Sequence, residues 1–281
     1  NKHSMKKPPY AEFERLAVRA ALEAGAVLVK HFNRKLQVSE KKDAGLVTNA
    51  DVEAERVTIK ALNRGPKSMG YITEESALTG SAELRANQAS EGHWIIDPLD
   101  GTTNFIHRFP MFCVSIAAEW QGELAVGVIY HPILKDLYVA VRGKGARLNK
   151  KRIAVSKTRA LRDSLLTTGF SYRKDEWLHR EMEAFERLSG IARAIRRPGS
   201  AALDLAYVAR GVFDGFWERR LSPWDIAAGS LLVQEAGGRV TNLKREPFKS
   251  TMNEIIATNA ALHDDLANSV APEFCPVDLK G

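Results

Sequence analysis

Only two cysteines, Cys113 and Cys275, occur in 281 residues. So sparse a complement does not build a disulfide framework, and a reducing, cytoplasmic setting is the expectation. No apolar run approaches the roughly 20 residues that cross a bilayer, and the opening NKHSMKKPPY is basic without the apolar stretch of a secretory signal. No membrane association is expected. His-Glu-x-x-His is missing, as is any cysteine pair at zinc spacing, which excludes the commonest zinc sites. Repeats, low-complexity tracts and flexible linkers are also missing.

Positive charge is in excess, at a net +7. That balance suits anionic partners, either phosphorylated small molecules or nucleic acid. The basic residues are spread out; the densest cluster, RGKGARLNKKR (Arg142–Arg152), reads as a solvated hairpin turn. A chain of 281 residues, 44% of them hydrophobic, holds one large domain or two fused halves.

Hydrophobic period orders the chain. Phe13, Leu16, Ala17, Ala20, Ala24, Val27, Leu28 and His31 share one face of an opening amphipathic helix. Cap-type Thr48, Asn49 and Asp51 start a second helix, which stops before Gly65. MGYITEES and HWIIDPLDG read as strands, and Pro98 is expected to end the latter. Phe112–Asn149 reads as an antiparallel meander, with turns at Gln-Gly and His-Pro. Beyond it strands and helices alternate; Ser200 and Ser222 cap two of the helices, and Pro223 opens the second. This mixture argues for a layered α+β fold and against a simple doubly wound sheet.

Acids recur where elements stop: Asp51, Glu74, Glu75, Asp97, Asp100, Glu218 and Asp225. A carboxylate at the end of an apolar strand is costly unless it is paired or binds metal. An all-oxygen donor set selects a hard cation, and Mg²⁺ is the usual one in phosphate chemistry. WIIDPLDGTTNF joins such ligands to a helix start at Thr102, whose free N–H groups attract phosphate. Asp204 and Asp214 read as surface or turn acids, Cys113 as a core thiol, Trp224 as core packing and His107 as a surface residue.

WIIDPLDGTTNF, upstream ITEES and downstream PWDIAAG occur in the order found in the inositol monophosphatase family, and VTNAD and RRPGSAALDLAYVARG resemble two further segments of it. The match runs from about Phe13 to Val270. It implies a five-layer αβαβα sandwich of the inositol monophosphatase and fructose-1,6-bisphosphatase type. Residues 10–275 then form one domain in two sub-layers, about 10–155 and 156–275, with an arm at 1–9 and a tail at 276–281.

The resemblance also implies roles. Glu75, Asp97, the Leu99 carbonyl, Asp100 and Asp225 would hold two to three Mg²⁺ ions, and Asp51 with Thr102 would orient the attacking water. Gly101 and Thr102 would hold phosphate through their N–H groups. Gly199, Ser200, Ala201 and Glu218, beside Asp100 and Asp225, would contact substrate. Lys41, with Lys42 adjacent, is the nearest match to a family lysine, and Gly45 stands where the family often has Asp. The implied activity is Mg²⁺-dependent hydrolysis of a myo-inositol monophosphate by a lithium-sensitive homodimer. Alternatives in the same site are fructose 1,6-bisphosphate, a nucleotide 3′-phosphate or histidinol phosphate. Bacterial members imply another class of role, association with RNA polymerase or antitermination factors in ribosomal RNA transcription.

Overall fold

The computed structural model describes residues 8–41, 45–66, 68–75, 90–170 and 175–274. Residues 1–7 of the expected arm, Lys42, Cys275 and the 276–281 tail lie outside the described residues.

The chain opens with α1 (Tyr10–Phe32), then a hairpin, β1 (Val38–Lys41) and β2 (Gly45–Thr48), leading directly into α2 (Asn49–Leu62). Along α1 the expected face is buried, except that Val27 is only partly covered, and Ala21 and Phe32 join it. The β1–β2 pairing went unread because its eight residues carry no strong alternation.

Seven strands follow: β3 (Met69–Thr73), β4 (Gly92–Asp100), β5 (Cys113–Trp120), β6 (Glu123–His131), β7 (Asp136–Val141), β8 (Gly145–Leu148) and β9 (Lys151–Arg152). They lie side by side in chain order; β3–β4 is parallel and the other pairs are antiparallel. A short helix, α3 (Thr102–Ile106), leaves the end of β4. The sheet is buried on both faces, which explains its near-continuous apolar runs. Trp94 and Ile96 pack with Phe13 of α1, while Ile95 between them joins the opposite core.

The second half comprises β10 (Leu165–Thr168), α4 (Glu176–Ser189), β11 (Ala194–Arg196), α5 (Ala201–Ala209), β12 (Gly215–Arg219), α6 (Pro223–Glu235), β13 (Arg239–Thr241), β14 (Glu254–Thr258) and α7 (His263–Val270). Its five-stranded sheet has the order β11-β10-β12-β14-β13. α5 and α6 pack on each other between the two sheets, α1 and α2 cover the outer face of the first, and α4 and α7 flank the second. The layers are therefore αβαβα, as the resemblance implied. No helix among the described residues is long and apolar enough to cross a membrane.

Candidate active site

Pro98 does not end its strand. β4 continues to Asp100, and the reason is local. Pairing with β3 stops at Thr73↔Ile96, and the register with β5 slips between Asp97 and Asp100. Pro98, which has no N–H to donate, thus sits in a bulge where none is required. The bulge turns the Leu99 N–H onto Asp97 Oδ1 at 2.9 Å. Gly101 follows in the left-handed region, with φ 96°. A Cβ there would stand 2.8 Å from the Met111 carbonyl, so the turn into α3 needs glycine on both counts.

The start of α2 supplies the next pair. Thr48 donates its N–H (2.8 Å) and hydroxyl (2.5 Å) to Asp51 Oδ2, while Ala50 N–H donates to Thr48 Oγ1. This capping box leaves Asp51 fully buried. The Thr102 hydroxyl lies 3.1 Å from Asp51 Oδ1 and also 3.1 Å from the Leu99 carbonyl, so it donates to one of them at a time. Two residues 51 apart in the chain are thereby joined.

Asp100 reaches the start of α5. Its Oδ2 accepts the Ser200 hydroxyl at 2.6 Å and the Ala202 N–H at 2.7 Å. Ser200 is the N-cap of α5, as its place in the sequence suggested. Cys113 is a fully buried core thiol with Sγ 3.9 Å from the same carboxylate oxygen. Asp225 occupies the third position of α6, where its Oδ2 accepts the Ser222 N–H at 2.6 Å. The Ser115 hydroxyl donates to the Trp224 carbonyl at 3.2 Å, and Ser115 pairs with Asp97 across β4–β5. That contact ties the first turn of α6 to the Asp97 bulge. Trp224 is only half-buried there.

The electrostatics show which acids share a neighbourhood. Burial, then the charges of Glu74, Asp100 and Asp225, push the Asp97 carboxyl well above its ordinary range, against the Leu99 N–H. Asp100 is pushed up to about 6, mainly by burial, which outweighs its bonds from Ser200 and Ala202. The Glu74 charge bears on both. Glu75 is buried, and its N–H donates to Glu55 Oε2 at 3.1 Å. Burial and the charges of Asp204, Asp225, Asp100 and Glu181 also drive Glu218 well upward. Glu218 does not pair with its basic neighbours: Arg219 meets Glu273 and Arg220 meets Asp175. His107 is exposed at the end of α3.

The donor set is all oxygen, and it combines several mutually repelling acids with a backbone carbonyl, which is the chemistry a hard dication satisfies. Among the described residues, no three His, Cys, Asp or Glu side chains already form a cage. The acids are neighbours by charge, anchored through one oxygen each at Asp97, Asp100 and Asp225. A dication would reverse the sign of the field they now feel.

Two acids were misread from sequence. Asp214 is a buried knot, accepting from Ser156 and from the Leu165 N–H. Asp204 is buried because α5 lies between the two sheets, with Glu218, Thr167 and Asp100 near it; Oδ1 has no hydrogen-bond partner. Its position on the apolar helix SAALDLAYVARG was the overlooked signal. Asn104 was passed over too: its amide donates to the Met111 carbonyl at 2.7 Å and the Pro198 carbonyl at 2.9 Å, fastening α3 to the Gly199–Ser200 turn.

Burial raises the Asp204 carboxyl well above its ordinary range, with the Asp100 charge adding to it and Thr167 and Arg197 opposing. An acid whose folded pKa is raised costs stability once pH exceeds the unfolded value, and that cost grows until the folded pKa is passed. Asp204→Asn is therefore expected to stabilise the cation-free protein at pH 7 by about 1–3 kcal/mol, the scale of a buried polar group imperfectly satisfied. The gain should shrink toward pH 4. Thermal unfolding in chelator at both pH values checks this, and an equal or lower midpoint at pH 7 refutes it.

The fold has known counterparts. The model of the inositol monophosphatase family matches residues 10–274. Inositol-1-monophosphatase of Synechocystis is 40% identical over 257 residues, covering 91% of this chain and 88% of that protein. Nus factor SuhB of Escherichia coli K12 is 40% identical over 265 residues, covering 91% and 97%. The crystal structure of extragenic suppressor protein suhB from Bartonella henselae superposes with a TM-score of 0.85 at 40% identity, covering 91% and 97%. On this whole-length agreement of sequence and layers, the chain belongs to the inositol monophosphatase family.

Proposed function

We propose that the protein is a Mg²⁺-dependent phosphomonoesterase acting on a myo-inositol monophosphate. One observation carries the reading. Asp97 and Asp100 on β4 and Asp225 on α6 share one repulsive field with Glu74, and each Asp accepts a backbone N–H. Such an arrangement is unfavourable unless a cation offsets it. Asp97, the Leu99 carbonyl, Asp100 and Asp225 would hold Mg²⁺, two to three ions in all. The electrostatics favour Glu74 over the expected Glu75 as the acid facing them, with Glu75 anchoring the turn through Glu55.

When bound, Mg²⁺ neutralises phosphate charge and lowers the pKa of water. The chain's own residues do the positioning. Asp51, stripped of solvent and held by Thr48, keeps the Thr102 hydroxyl aimed at the site, and together they orient the attacking water. Gly101 brings the backbone close enough for its N–H and that of Thr102 to hold phosphate. The Gly199–Ser200–Ala201 turn and Glu218 face the alcohol portion. Phosphoryl transfer requires mostly orientation and charge neutralisation, so no protein nucleophile is assigned.

Phosphate release over a panel of esters, with and without Mg²⁺, tests the reading: inositol monophosphates, fructose 1,6-bisphosphate, nucleotide 3′-phosphates and histidinol phosphate. We expect inositol monophosphate to be preferred, activity to disappear in chelator, and millimolar Li⁺ to inhibit. Chelator-insensitive release would overturn the reading. The Nus factor names of relatives favour a second, compatible role, binding RNA polymerase or antitermination factors. A cytoplasmic homodimer is part of the proposal, and light scattering checks its stoichiometry.

A further inference from the structure

β10 ends at Thr168, and its parallel register with β12 places Thr167 opposite Phe216 and Thr168 opposite Trp217. Gly169 consequently comes to lie beside Glu218. A Cβ on Gly169 would overlap Cδ and both carboxylate oxygens of Glu218. The backbone at Gly169 is not left-handed, so glycine is not required for conformation. What the missing side chain supplies is room: the Glu218 carboxylate lies directly on the bare Cα. The Thr168 hydroxyl fixes the two strands at this point by donating to the Trp217 carbonyl at 2.7 Å. The pair therefore cannot slide apart to admit a methyl group at no cost. Arg219 and Arg220 are turned to Glu273 and Asp175, so neither draws Glu218 away.

We propose that Gly169 is a specificity-determining positioning residue, which seats Glu218 back against β10 and so leaves the width of a polyhydroxylated ring between that carboxylate and the phosphate-binding turn. The preferred substrate class is then a cyclic polyol phosphate, with Glu218 accepting from ring hydroxyls. This rests on the reading of Glu218 as a substrate contact. Gly169 acts only through Glu218 and touches no reacting atom.

The test is a double-mutant cycle on substrate preference. Steady-state constants are measured for wild type, Gly169→Ala, Glu218→Ala and the double variant, with myo-inositol 1-phosphate and with phenyl phosphate, whose ring has no free hydroxyl. Gly169→Ala is expected to raise KM for the inositol ester about tenfold more than for the phenyl ester, since displacement of a contact by about 1 Å has effects of this order or larger. Added to Glu218→Ala, it should change the ratio no further. If Gly169→Ala leaves the wild-type ratio of the two KM values in place, or raises it equally in the Glu218→Ala background, the inference is overturned and the phosphatase reading stands. An equal loss on both esters that persists in the double variant marks a folding defect and also overturns it. If the wild type releases phosphate from neither ester, the phosphatase reading itself fails.

Discussion

Asp97→Asn is expected to reduce Mg²⁺-dependent phosphate release by about 10³-fold or more while raising the thermal midpoint of the cation-free protein. The loss is the several kcal/mol that a bound cation contributes to the transition state. The gain comes from the same atoms. Burial, then the charges of Glu74, Asp100 and Asp225, drives the Asp97 carboxyl well above the ordinary range. Its stabilising protonated form is lost as pH rises, so the penalty is present at neutral pH and declines on acidification. Asparagine keeps an acceptor for the Leu99 N–H, which now bonds Oδ1, and removes the charge. A gain of about 1–3 kcal/mol, or a few degrees in a chain this long, is expected in chelator at pH 7. Saturating Mg²⁺ should reverse the order, because wild type then gains binding free energy that the variant lacks. A variant that remains active, or that melts lower than wild type without cation, would contradict the assignment of Asp97.

Much of this site is legible in the sequence because its acids sit on element boundaries that local rules mark. Ser222, Pro223 and Asp225 form a helix start that needs no tertiary information, and Thr48 with Asp51 forms another. The opening helix was equally plain from its 3.6-residue period. Long-range effects were hidden. Pro98 argues for an end to β4, and only the withdrawal of β3 after Thr73 lets the strand pass through it. Asp204 looks like a surface acid until α5 is placed between two sheets. Glu74 and Glu75 are adjacent in the chain, so no periodicity argument separates them. Gly169 carries no signal in isolation, because its neighbour Glu218 is 49 positions away and is brought beside it only by parallel pairing of β10 and β12.

Thr102→Val should lower kcat by about 10²–10⁴-fold, the range associated with a positioned proton-transfer group, while changing stability by no more than about 1 kcal/mol. Thr102 is the better probe of this pair. Asp51 also closes the capping box of α2 through the Thr48 N–H and hydroxyl, so its removal weakens the helix by about 0.5–2 kcal/mol and confuses folding with chemistry. The Thr102 hydroxyl has a narrower task. It stands between Asp51 Oδ1 and the Leu99 carbonyl, and valine keeps its shape at the start of α3 while removing the hydroxyl that links this turn to Asp51. KM should move little, because the phosphate contacts assigned here are backbone N–H groups that valine retains. Thr102→Ser restores the hydroxyl without the methyl and should recover most of the turnover. Stopped assays of phosphate release at saturating ester, with thermal midpoints measured in parallel, separate the outcomes. If Thr102→Val turns over within threefold of wild type, Asp51 and Thr102 do not orient the water.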